Sequence, residues 1–169
     1  MKKVIIGILI AVVLLGVIII GKGIGAYNSI VAGEENVRSA WAQVENTYQR
    51  RYDLIPNLVA TVQGEADFEK STLTAVIDAR SRLGGTVKVD ENMLGDEAAM
   101  KRFQESQATL GGALQRLMMV TENYPNLKSN QSFQDLRVQL EGAENRIAVE
   151  RKRYNETVRD FNTYIRQFP

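Results

Sequence analysis

Two acidic positions interrupt rows of apolar residues set at helical spacing. Glu34 falls on one such row, and Glu150 or Arg151 fills the one gap in another. Carboxylates brought together inside a helical bundle are the raw material of a two-metal site, which such bundles complete with Glu-x-x-His pairs. The chain has no histidine and no cysteine. That excludes this form of metal site, any thiolate nucleophile, any disulfide and the commonest general acid–base. The favoured reading is that each carboxylate leans to solvent or pairs with a basic neighbour such as Arg38 or Arg151, because a buried carboxylate needs a partner. An enzyme would have to work with Asp, Glu, Tyr or Ser alone, which is uncommon. The sequence is therefore read as non-enzymatic and without a cofactor.

The second cluster is Arg50, Arg51 and Asp53. Adjacent guanidinium groups bind phosphate or carboxylate through charge-assisted hydrogen bonds, so the three residues are the candidate partner-contact patch. The structural reading is stronger. There, Asp53 caps a helix by accepting from a backbone N–H, and the arginines brace a turn or pair with acids on the last helix. Trp41, the single tryptophan, lies on an apolar row and is read as core. The basic and aromatic residues Arg151, Lys152, Arg153, Tyr154, Arg159 and Arg166 could meet anionic lipid. They are interleaved with Glu141, Glu144, Glu150, Glu156 and Asp160, and mixed signs indicate a solvated face.

The element that fixes the position of all these residues is at the N-terminus. Val4 to Ile20 carries no charge and is rich in Ile, Val and Leu, with Lys2 and Lys3 before it and Lys22 after it. Its length is at the short end for a spanning helix. A cleaved signal peptide is the competing reading, but the apolar run is long for one and no A-x-A site follows. Residues 1–25 are thus a retained single-pass anchor and residues 26–169 a second domain. The placement of the lysines leans toward a cytoplasmic N-terminus and an external or periplasmic domain. Gly7, Gly16 and Gly21 are ordinary glycines of a membrane helix rather than a close-packing repeat.

Beyond the anchor the apolar spacing is helical throughout. Tyr27, Ile30, Val37, Trp41, Val44 and Tyr48 form one seam, in phase with the membrane segment. Arg50 to Pro56 reads as a turnaround, with Asp53 as the cap and Pro56 in the next helix's first turn. A single helix kinked at Pro56 is the rival; the turn is preferred because it gives helices of similar length. A second helix follows through Leu58, Val62, Leu73, Val76 and Ile77, and stops at Leu83-Gly84-Gly85. The third runs through Met100, Phe103, Leu110, Leu114, Leu117 and Tyr124, and ends before Pro125. The fourth spans Ser129 to Phe168, with Phe133, Leu136, Leu140, Ala143, Ile147, Tyr154, Val158, Phe161 and Ile165 on its seam. The fold class is all-α: an N-terminal transmembrane helix plus an up-and-down antiparallel four-helix bundle.

Several stretches now stand together: Tyr27-Asn28, Ala40-Trp41, the block Arg50-Arg51-Tyr52-Asp53-Leu54-Ile55-Pro56-Asn57-Leu58-Val59, Tyr124-Pro125-Asn126-Leu127-Lys128, Glu144-Asn145-Arg146-Ile147 and Phe168-Pro169. Across essentially its whole length the chain resembles the LemA family of bacterial membrane proteins. The resemblance implies one membrane helix, a four-helix bundle and no established reaction. One branch of the family is associated with magnetosome membranes, which implies a role in membrane organisation. The chain departs from the family where Asp67-Phe68-Glu69 stands in a stretch that usually holds histidine, and relatives usually continue beyond the Phe-Pro pair.

Function follows as expectation. The net charge of +1 carries none of the basic excess of a nucleic-acid binder. The partners are the lipid bilayer and further copies of the chain in a homo-oligomer. The expected role is a membrane-anchored scaffold in the bacterial inner membrane. The alternative is an accessory or adaptor subunit for another membrane protein.

Overall fold

The computed structural model describes residues 2–65, 68–83 and 96–167. All the regular structure among them is helical: α1 (Lys2–Gln63), α2 (Lys70–Arg82), α3 (Glu97–Thr121), the short α4 (Pro125–Ser129) and α5 (Gln131–Gln167). The chain divides into two units. Residues 42–152 form one, and residues 1–41 with 153–169 form the other.

The unit of residues 42–152 is a helical bundle. Its core draws on all four long helices: Val44, Ile55, Leu58 and Val62 from α1, Val76 from α2, Leu110 and Leu117 from α3, and Phe133 from α5, each with almost no exposed surface. Pairings between helices give the directions. Tyr48 and Arg51 of α1 meet Phe103 and Gln107 of α3 in the same order, so α1 and α3 run parallel. Tyr48 meets Arg151 of α5 and Arg51, further along α1, meets Glu144, earlier on α5, so α5 runs the opposite way. The ring of Phe68, just before α2, packs 4.9 Å from that of Tyr124, just after α3. The order is up, down, up, down.

The expected turn at Arg50–Pro56 does not exist. α1 continues as helix through Pro56 to Gln63. Proline inside a helix costs about 3 kcal/mol. Burying Ile55, Leu58 and Val62 beside it recovers about 1.5–3 kcal/mol each, so burial wins. The proline ring itself faces solvent. Asp53 is therefore not a cap; it sits mid-helix and accepts from Gln49 Nε2 at 2.7 Å. Leu58 and Val62, assigned to the second helix by spacing, close the first.

The other boundaries follow local chemistry. Asp96 caps α3, accepting from the amides of Ala98 and Ala99 at 2.9 and 3.0 Å. α3 ends at Thr121, ahead of Tyr124, and Pro125 opens α4 where its missing N–H costs little. Asn130 Oδ1 then accepts from the Phe133 amide at 3.2 Å and starts α5. At this corner Glu122 accepts from Lys128, and from Arg137 at 3.2 Å. The Lys128 hydrogen bond and charge, with help from Arg137, hold its carboxyl below the usual range. Gly84 and Gly85, expected to stop α2, lie outside the described residues, as do Asp67 and Phe168.

In the other unit, α1 and α5 run antiparallel. Trp41 meets Tyr154 edge to face at 5.0 Å. Eight residues earlier on α1, Gly33 lies against Phe161. A side chain there would place its Cβ 2.5 Å from the ring, so glycine permits the approach. Seam assignments are corrected at Tyr27, Ile77 and Ile165, which is 43% exposed. Tyr27 is 68% exposed, because the face of α1 that meets α5 carries Ile30, Gly33 and Val37 instead. In the bundle, Ile77 of α2 is 39% exposed.

Candidate functional site

The most distinctive surface is on α1. From Ile5 to Ile20 every large apolar side chain is exposed by 55–64%, and Ile24 continues the series. The cause is in the sequence: the segment is apolar on every face, so no single neighbour could cover it. Such a helix is stable only in lipid or fully buried. Among the described residues α1 is the one helix long and apolar enough to cross a membrane. Ile20, the expected end of the span, is exposed like the rest; the side chain of Val4, its expected start, lies outside the described residues.

The second candidate is polar and internal. Arg51 projects from α1 into the bundle and retains 3% of its surface. Nη1 donates to Glu144 Oε1 of α5 at 2.8 Å. Nη2 donates to the Gln107 side-chain carbonyl of α3, and to its backbone carbonyl at 3.3 Å. The guanidinium carbon lies 5.3 Å from the centre of the Tyr48 ring. Arg51 Nε and Gln107 Nε2 are buried without a hydrogen-bond partner. A buried charge is tolerated only when paired, so Arg51 ties three helices into one register. Burial pushes the Tyr48 phenol above its ordinary value, opposed by the charges of Arg151 and Arg51.

The candidate patch is thus split. Arg51 faces inward, while Arg50 and Asp53 are exposed. Arg50 lines a shallow depression with Arg146 and Glu150. Glu34 pairs in solvent with Arg38 at 2.9 Å. Trp41 is core, at 6% exposure. Among the described residues no three acidic side chains are placed to hold a metal ion. The expected pairing of an arginine with an acid of the last helix is the Arg51–Glu144 bond; Gln107 was missed. The signal for Gln107 was available: a polar residue stands on the α3 seam, four places after Phe103 and three before Leu110.

A groove of about 520 Å³ opens between α3 and α5, over this cluster. Leu114, Met118 and Leu140 make its apolar walls, and Gln115, Glu141, Glu144 and Asn145 its polar rim. Glu144 thus joins the buried Arg51 to an accessible surface. The arrangement offers hydrogen-bond acceptors and apolar contact; a buried arginine held by a carboxylate supplies neither a nucleophile nor a proton carrier.

An exposed apolar helix with an all-helical bundle defines a membrane-associated helical protein. The chain belongs to the LemA family, matched over residues 40–169. It is 28% identical over 158 residues to the magnetosome protein MamQ of Magnetospirillum gryphiswaldense, covering 85% of this chain and 58% of that protein. The magnetosome protein MamQ 2 of Paramagnetospirillum magneticum is 29% identical with the same coverage. Protein LemA of Metamycoplasma hominis is 21% identical over 145 residues, 86% of this chain and 62% of that one. The chain spans about three fifths of the length of the curated relatives it matches. None of these names denotes an enzyme.

Proposed function

We propose that the chain is a non-enzymatic, self-associating scaffold held in the bacterial inner membrane by a single N-terminal span. Residues 1–25 are the anchor, and the bundle lies on the external or periplasmic side. The observation that carries the reading is the continuity of α1: one helix of 62 residues contains both the exposed apolar run and the core residues Val44 to Val62. The likeness to magnetosome proteins supports a role in organising membrane. The native mass of the full-length chain in mild detergent, followed on dilution, tests the reading: a defined multiple of the chain mass is expected, and a monomer at every concentration overturns self-association. One observation favours an adaptor instead. The groove beside Glu144 has the mixed apolar and polar lining of a binding site, with Arg50 and Asp53 as further contact residues. Crosslinking in native membranes that returned a second membrane protein, and never the chain itself, would favour that reading.

A further inference from the structure

α1 and α5 share a sharp boundary in charge. On α1 there is no acidic residue before Glu34; on α5 there is none among the described residues after Asp160. The contacts of Gly33 with Phe161 and of Trp41 with Tyr154 set the register of the antiparallel pair. Stepping along it places Glu34 level with Asp160, and Asn28 level with Arg166. Both helices therefore lose their acids at the same height. Between the apolar run and that height their charges are Lys22 and Arg166, and both are exposed. Exposed apolar groups gather there too: Tyr27 and Val31 on α1, Tyr164 and Ile165 on α5. Ile165 continues the seam of Tyr154, Val158 and Phe161, yet remains 43% exposed.

Lipid dimensions locate this collar. The hydrocarbon core is about 30 Å thick, which at about 1.5 Å per residue takes some twenty residues of helix. Counted from Val4, hydrocarbon reaches past Ile20 to the neighbourhood of Gly23, with Lys22 extending its amine outward. The headgroup layer follows. Asn28, and so Arg166, stands about 8 Å above the hydrocarbon, within a side chain's reach of the phosphates. Tyrosine concentrates at this depth, its ring in the apolar boundary and its hydroxyl in water. Juxtamembrane cations gain from anionic headgroups.

We propose that the last described turn of α5, Tyr164 to Gln167, rests in the phospholipid headgroup layer beside Tyr27, so that the chain meets the bilayer at two places. Arg166 and Lys22 hold lipid phosphate, and Tyr164 and Ile165 enter the apolar boundary. The occupant is lipid because the exposed apolar surface is continuous with the lipid-facing surface of α1 and the charge around it has one sign. The inference rests on the reading of α1 as a membrane span.

Single cysteines test it in the full-length chain, which has none of its own. An environment-sensitive dye is attached to Ile165→Cys, Tyr164→Cys, Val12→Cys or Met119→Cys. Each protein is placed at one copy per nanodisc of phosphatidylcholine and phosphatidylglycerol carrying quenchers in the acyl chain or the headgroup. The dye at residue 12 should be quenched from the acyl chain, those at 164 and 165 from the headgroup, and that at 119 by neither. If the dye at 12 is quenched while those at 164 and 165 behave like 119, the second contact is overturned and the anchor stands. If the dye at 12 also escapes, the anchor reading falls and takes the inference with it. Quenching of 164 and 165 only in discs with several copies would identify a second chain as the occupant, and overturns the proposal.

Discussion

The two ends of α1 are made of similar residues and behave in opposite ways. From Ile5 to Ile20 the helix is apolar on all sides and its large side chains are exposed; from Trp41 to Val62 its buried apolar residues lie mainly on one stripe. Trp41, Val44, Tyr48, Ile55, Leu58 and Val62 recur at three, four or seven places, with Arg50, Asp53, Pro56 and Asn57 facing water between them. Composition alone does not separate the ends. The angular distribution does: a stripe can be covered by neighbouring helices, whereas an all-round apolar surface needs a medium. Each end is therefore folded by a different solvent, and each should fail independently.

The largest effect is expected in the striped end. Leu58→Ala removes a fully buried side chain and should cost about 2–5 kcal/mol of bundle stability. Thermal unfolding followed by circular dichroism would read the loss, while the fraction of chain pelleting with membranes stays unchanged. Leu14→Arg reverses the pattern. A charge at the centre of a span costs about 2.5–3.5 kcal/mol of insertion, so the variant should leave the membrane fraction while the bundle's melting temperature holds. If either substitution moved both readouts together, the two ends would be one cooperative unit and the comparison would break.

The striped end also shows what the sequence could and could not say. The seams of α3 and α5 were legible because their apolar spacing is regular and the Tyr124-Pro125 pair marks the break between them; the caps Asp96 and Asn130 went unread. The run Arg50 to Pro56 misled because its local signals all point to a turn: a charged pair, a capping-type aspartate and a proline. Those preferences are worth about 1–3 kcal/mol, less than the burial of the residues interleaved with them. Arg51 was half legible: a pairing with an acid of the last helix was expected, but its burial and its partner Gln107 were not. Spacing places it between the core residues Tyr48 and Ile55, but its inward partners, Gln107 and Glu144, lie 56 and 93 residues away. No local pattern encodes such a pairing. Tyr27 fails for a third reason: its spacing fits the seam, yet α5 packs on the neighbouring face.

Pro56 offers a way to sharpen the comparison. If burial alone keeps α1 helical through it, the proline is a standing cost. Pro56→Ala restores a backbone donor and a better helix former, and should stabilise the bundle by up to about 3 kcal/mol. Urea unfolding would show the midpoint rising with the slope unchanged. A destabilised variant would mean that the ring, exposed as it is, contributes a contact that outweighs the missing hydrogen bond.

The smallest effect is invisible at neutral pH and concerns a tyrosine of the striped end. Burial raises the Tyr48 phenol above its ordinary value of about 10, and the charges of Arg151 and Arg51 only partly offset this. In the unfolded chain the same phenol ionises at the ordinary value. Between the two values the folded state binds the proton more tightly, so stability falls as pH rises. The contribution is complete below the ordinary value and is lost as pH climbs toward the folded one. Tyr48→Phe keeps the ring beside Arg51 and Phe103 but has no proton to lose. Wild type and variant should therefore share a flat stability profile at neutral pH and part in alkali, where the variant declines less. Parallel decline would show that the buried hydroxyl is solvated in the folded chain, and that this part of the core is wetter than the packing of Tyr48 implies.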